Sequence, residues 1–244
     1  MKKLLPLLCA LGFVAQPALA ATNNITSLQN LGQAEFNALS EDLSSALSYK
    51  PVGLSTPLGV TGFDIGLDVT QTNMAKSSAL WSQITGGGTV SNLYIPKLHI
   101  DKGLPFGFDI GAFYSKVPTT NISLYGGELR YALIDNIALP TVSIRGAFTK
   151  LSGVDQLSFD TKSLDVSIAK TFVMVTPYAG VGKVWANSSA NVASNFTGFA
   201  LSDSFSQNKI YGGVNVNLGL MNLAAELDKT GSARSVSAKL GFRW

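Results

Sequence analysis

Beyond residue 20 this chain has no cysteine, because its single Cys9 lies in the leading apolar run. The remainder forms no disulfide and offers no thiolate chemistry. Histidine is almost as scarce, with His99 alone. No metal-ligand cluster, phosphate-binding loop or nucleophile elbow can be read from the sequence. A charge excess is missing too. Eighteen Lys and Arg, two of them Lys2 and Lys3, stand against 15 Asp and Glu. The chain past Ala20 is therefore close to neutral, and nothing in its balance points to nucleic acid. Long apolar runs are absent as well. Although 46% of residues are hydrophobic, none of the runs after Ala20 approaches the roughly 20 residues of a spanning helix.

What the sequence has instead is alternation. About ten segments between Leu58 and Trp244 set apolar against polar residues with a period of two, the signature of strands with one apolar face. Val60 to Thr70 opposes Phe63, Ile65, Leu67 and Val69 to Asp64 and Asp68. Leu93 to Asp101 opposes Leu98 and Ile100 to Lys97, His99 and Asp101. Phe106 to Ser115, Ile122 to Leu133 and Thr141 to Thr149 repeat the pattern, with Asp109, Glu128, Arg130 and Arg145 on the polar side. The five-residue string Gly62-Phe63-Asp64-Ile65-Gly66 recurs as Gly107-Phe108-Asp109-Ile110-Gly111, and two ascending strands meeting one depth requirement explain the echo.

Ser163 to Thr171 carries Asp165, and Thr176 to Val184 is read with Tyr178 outward and Lys183 inward. Leu157 and Phe159 fall out of phase with Leu164, so a bulge or long loop is expected there. Lys209 to Leu218 places Lys209, Tyr211, Asn215 and Asn217 on its polar face, and Asn222 to Asp228 places Glu226 and Asp228. The last segment opposes Val236, Ala238, Leu240, Phe242 and Trp244 to Ser237, Lys239 and Arg243. Long polar stretches, 71–92 and 185–208, follow the first and seventh segments, whereas connections after the second, fourth and eighth are tight.

At the other end, Lys2 and Lys3 precede an apolar run from Leu4 to Val14 that closes on Ala18-Leu19-Ala20. This is the layout of a secretory signal peptide, with cleavage expected after Ala20. Leu8 before Cys9 does not suit a lipidation signal. Residues 21–57 form a segment of their own, with Leu28, Leu31, Phe36, Leu39, Leu43 and Leu47 at helical spacing. An amphipathic helix is expected between Ile25 and Tyr49, broken near Gly32 to Asn37, with a start near Ser40 and a stop before Pro51. It belongs either in the periplasm, on the membrane surface, or in a barrel lumen as a plug.

The ending Leu240-Gly241-Phe242-Arg243-Trp244 resembles the terminal strand of Gram-negative outer-membrane β-barrels, whose last residue is an aromatic. The resemblance covers the leader and residues 58–244. It implies an all-β fold, a single transmembrane antiparallel barrel of about ten strands with eight to twelve open, preceded by a short amphipathic helical segment. It implies residence in the cell outer membrane, lipid as a partner, and Leu240, Phe242 and Trp244 as the signal read by the barrel-assembly machinery. Such barrels have short periplasmic turns and longer outer loops.

Candidate functional residues follow from the inner face. Asp64, Asp68, Asp101, Asp109, Glu128, Asp165, Glu226 and Asp228 supply acids there, and Lys97, Arg130, Arg145, Lys183, Lys209, Lys239 and Arg243 supply bases. Buried charges must pair, so they read as a salt-bridged interior, or as the lining of a narrow aqueous path. Trp81, Phe196, Phe199, Leu201 and Phe205 are apolar residues in expected outer loops, available for loop packing or for a hydrophobic ligand. His99 with Asp101 could form a pair, but near the short-turn rim and facing inward, where a lipid substrate does not enter. The expected role is non-enzymatic, without cofactor: a structural barrel or narrow passive channel. Uptake of a hydrophobic small molecule is the second reading, and a hydrolase using His99 the least favoured.

Overall fold

A computed structural model describes Leu28 and residues 31–53, 55–74, 76–80, 90–116, 122–136, 138–191 and 201–244. Among the described residues one α-helix, α1 (Gln33–Leu47), precedes ten strands: β1 (Phe63–Asn73), β2 (Asn92–Gly103), β3 (Phe108–Lys116), β4 (Ser123–Ile134) and β5 (Thr141–Ser152). The second half comprises β6 (Leu157–Ala169), β7 (Val175–Ala190), β8 (Ser202–Leu218), β9 (Met221–Thr230) and β10 (Ala233–Arg243). Each strand pairs antiparallel with its sequence neighbour, and β1 pairs with β10, so the sheet closes on itself as a barrel. Closure leaves no exposed sheet edge along the paired length, which is what a strand structure needs in lipid. The seam is held at its foot by reciprocal backbone bonds between Phe63 and Trp244, at 2.8 and 3.1 Å, and by their stacked rings 5.3 Å apart.

Connections after even-numbered strands are tight, as at Gly219-Leu220, and mark one end of the barrel as the turn end. The opposite, loop end carries the long links after β1 and β7. Toward the turn end, outward residues form continuous apolar rows across neighbouring strands: Leu98, Leu67, Leu240 and Leu223 stand abreast, as do Ile144, Val166, Val181 and Ile210. Among the described residues no helix is long and apolar enough to cross a membrane.

The expected strand boundaries fail in β6 to β8. Leu157 and Phe159 lie within an unbroken β6, buried in the barrel, and no bulge separates them from Leu164. Strands β7 and β8 run to 16 and 17 residues, so much of the stretch expected as loop is strand. Toward the loop end β6 and β7 turn Leu157, Phe159, Val184, Ala186 and Ala190 inward, while Ser158, Asp160, Asn187 and Ser189 face outward. That inverted phase reads as loop to anyone tracking an apolar outer face. Tyr178 is likewise inward, the reverse of expectation.

Candidate functional site: the filled lumen

The helix is unbroken from Gln33 to Leu47. Gly32 caps it, with the Glu35 carboxylate accepting the Gly32 N–H at 2.9 Å, so the expected break reduces to a start. Ser40, expected to begin a helix, is mid-helix, and its hydroxyl bonds Ser188 of β7 at 3.0 Å. This helix lies in the lumen. Phe36, Leu39, Leu43 and Leu47 pack with Ile95, Phe113, Leu124, Leu157, Phe159, Ala186 and Ala190 of the wall into one buried apolar cluster. A helix expected to be amphipathic buries serine and aspartate too, because wall surrounds it. Asp42 accepts from the backbone N–H of Lys76 and Ser77, both at 2.8 Å.

From α1 the chain descends to the turn end, and each level of the wall holds it. The Tyr49 ring sits 5.9 Å from the His99 ring and 5.6 Å from that of Phe113. Lys209 donates to the Tyr49 carbonyl at 2.7 Å, and Lys50 donates to Asp228 at 2.9 Å. Gly53 donates to the Tyr178 hydroxyl at 2.8 Å, and that hydroxyl donates to Glu226 at 2.9 Å. At φ +85°, Gly53 is left-handed, and a Cβ there would come within 2.6 Å of the Ala224 side chain. Arg130 donates to the Thr56 carbonyl at 2.8 Å, and Asp109 accepts the Leu58 N–H at 2.9 Å. The segment therefore enters at the loop end and leaves at the turn end, where β1 begins.

Most sequence-predicted inner charges meet one another here. Arg130 pairs with Asp109 at 2.7 Å, and Arg145 spans Glu128 at 2.6 Å and Asp165 at 3.4 Å. Asp64 takes Lys239 and, at 2.6 Å, Arg243. Lys97 and His99 both converge on Asp68, at 3.5 and 2.7 Å. The histidine's carboxylate neighbour is thus Asp68 across the β1–β2 ladder, and not Asp101. Tyr211 donates to Asp165 at 2.6 Å. A buried ion is tolerated when an opposite charge meets it, and these ions meet one, although Arg130 Nη1 and Asp165 Oδ2 have no hydrogen-bond partner among the described residues.

Lys183 is not in the lumen: it is exposed on the outer surface, and the expectation of a lumen charge is corrected. The one-residue parity of β7 is fixed by Tyr178, Val184 and Ala186 inside, so Lys183 points out with Val181. Phe205 is not in a loop; it lies on β8, partly buried against the apolar cluster, as does Leu201 just before that strand. Trp81, Phe196, Phe199 and the leader lie outside the described residues. Leu240, Phe242 and Trp244 are exposed on the outer surface. Lys50 and Tyr49 were missed, because a helical periodicity says nothing about what lies past the helix end. Among the described residues no group of three or more His, Cys, Asp or Glu is placed to hold a metal ion.

No family model matches this chain, and no curated protein does. Solved structures of Gram-negative outer-membrane β-barrels resemble it at low identity. The N-terminal β-barrel domain of Pseudomonas aeruginosa OprF has 14% identity and a TM-score of 0.39, over 76% of this chain and 99% of that one. The translocator domain of the autotransporter NalP from Neisseria meningitidis has 10% identity and a TM-score of 0.40, over 85% and 94%. Ail of Yersinia pestis has 12% identity and a TM-score of 0.32, over 75% and 97%. The fold assignment rests on this chain's own strand ladder: a closed, ten-stranded antiparallel β-barrel filled by the segment that precedes it.

Proposed function

We propose that this chain is an exported outer-membrane barrel, closed by its own N-terminal segment, with a structural rather than catalytic role. The observation that carries the reading is the filled lumen: residues 33–58 touch the wall from Ser188 at the loop end to Asp109 at the turn end. A standing passive channel needs a continuous aqueous path, and among the described residues apolar packing above and paired charges below occupy the lumen instead. The apolar outer rows supply the lipid-facing surface, and 9 to 17 residues per strand meet or exceed the roughly 9–11 needed to cross a bilayer. With short turns periplasmic, the start of α1 faces the cell exterior. The leader as a cleaved signal peptide and the last strand as the assembly signal complete this reading.

Planar-bilayer conductance of the refolded full-length protein tests it, with folding checked by heat-modifiable gel mobility. Folded protein should give no steady steps, and a variant lacking residues 21–57 that still folds should give salt-proportional ones. Steady steps from the intact chain would sink the closed-barrel reading. The filled lumen also disfavours uptake through the barrel, since the apolar cluster suited to a hydrophobic solute is already occupied by α1.

A further inference from the structure

The outer surface carries a belt of cations that the lumen network does not use. Lys162 on β6, Lys183 on β7, Lys229 on β9 and Arg234 on β10 all face outward and are exposed. Each sits one strand step, about 6–7 Å, toward the loop end from an apolar outward residue: Leu164, Val181, Leu227 and Val236 in turn. The ladders bring them close. Lys162 stands opposite Trp185 while Lys183 stands opposite Leu164, which makes the two lysines diagonal neighbours. Lys229 and Arg234 face each other directly across β9 and β10. Like charges placed so repel, and none of the four forms a salt bridge among the described residues. Asp160, the outward carboxylate on β6, is taken up by the Asn187 amide at 3.0 Å.

We propose that this face binds the phosphate groups of anionic lipids in the leaflet at the loop end, an inference that rests on the membrane reading above. The occupant must present negative charge one strand step beyond an apolar surface, and a lipid does so, with acyl chains along Leu164, Val181, Ile210, Leu227 and Val236. A soluble polyanion would match the cations but leave that apolar surface unused. Trp185, between Lys162 and Lys183, suits the headgroup level, and long cationic side chains reach headgroups while their stems lie on apolar surface.

The test places full-length protein in bilayer discs of phosphatidylcholine containing phosphatidylglycerol of the same chains, then counts retained lipids by native mass spectrometry. At about one Lys- or Arg-sized attraction per cation, wild type should enrich phosphatidylglycerol by at least about ten-fold. The variant K162Q/K183Q/K229Q/R234Q should fall to near parity, and K229Q/R234Q should lie between. Enrichment that survives the four substitutions, or is absent in wild type, overturns the proposal. Displacement of the lipid by millimolar inorganic phosphate also overturns it, since the cations would then be binding free anion. A chain that never enters the discs overturns the membrane reading and this proposal together, whereas insertion without selectivity overturns this proposal alone.

Discussion

The two ends of the barrel obey one backbone rule and opposite chemistry. Near the turn end, Leu67, Leu98, Leu223 and Leu240 face out, and Asp64, Arg130, Arg145 and Lys239 face in. Near the loop end, Ser204, Ser206 and Asn208 of β8 face out, and Leu157, Phe159, Ala186 and Ala190 face in. The side-chain period of two is the same in both. What differs is the medium on each side: an apolar outer surface around a polar lumen below, and along β6 to β8 a polar outer surface over side chains packed on a buried helix above. One closed sheet thus combines a membrane-type wall with the wall of an ordinary hydrophobic core.

The sharpest way to break that comparison is to remove a charge where the wall is polar inside. Arg145→Met leaves Glu128 and Asp165 buried without their cation. The folded barrel should lose about 3–5 kcal/mol, read as a shift in the urea midpoint for refolding into lipid vesicles. An unchanged midpoint would mean that water, and not pairing, supports these carboxylates. Next in size comes the apolar half. Leu39→Ala, inside the helix–wall cluster, should cost about 2–5 kcal/mol by the same measurement. If α1 were only loosely seated the loss would be far smaller. Smallest is Lys183→Gln, which should move the midpoint by no more than about 0.5 kcal/mol, as an exposed outward residue does. A loss comparable with that of Arg145→Met would put Lys183 back in the lumen and undo the assigned face of β7.

Much of the turn-end half was legible beforehand. Alternation in β1, β2, β3, β4, β5, β9 and β10 placed Asp64, Asp109, Glu128, Arg130, Arg145, Glu226, Asp228, Lys239 and Arg243 on the inner face, where they stand. Those strands were readable because their outer face is apolar and their inner face charged along most of their length. The loop-end half was misread for the converse reason. In β6, β7 and β8 the phase of hydrophobicity reverses partway along, so Leu157 and Phe159 looked like a register error and 185–208 like a loop. Lys183 was misassigned because it lies near that reversal, with Val184 inside and Val181 outside. A single strand cannot announce which side is the core when both sides, at different heights, are apolar.

The sequence by itself determined the class of structure: past residue 20, period-two alternation, no apolar run long enough for a spanning helix and no thiol leave a closed sheet with charge inside. It also determined which residues could pair, since charge in a narrow lumen must be neutralised. Only the tertiary structure decided which carboxylate meets which cation, because pairing depends on the register between strands. It alone put α1 in the lumen, descending from the loop end, and so closed the barrel. The physical reason is that a helix with apolar residues on one stripe and serines on the other fits a membrane surface, water or a mixed lumen equally well. Apolar side chains on neighbouring strands, contributed from far along the chain, make the lumen the place where both faces are satisfied.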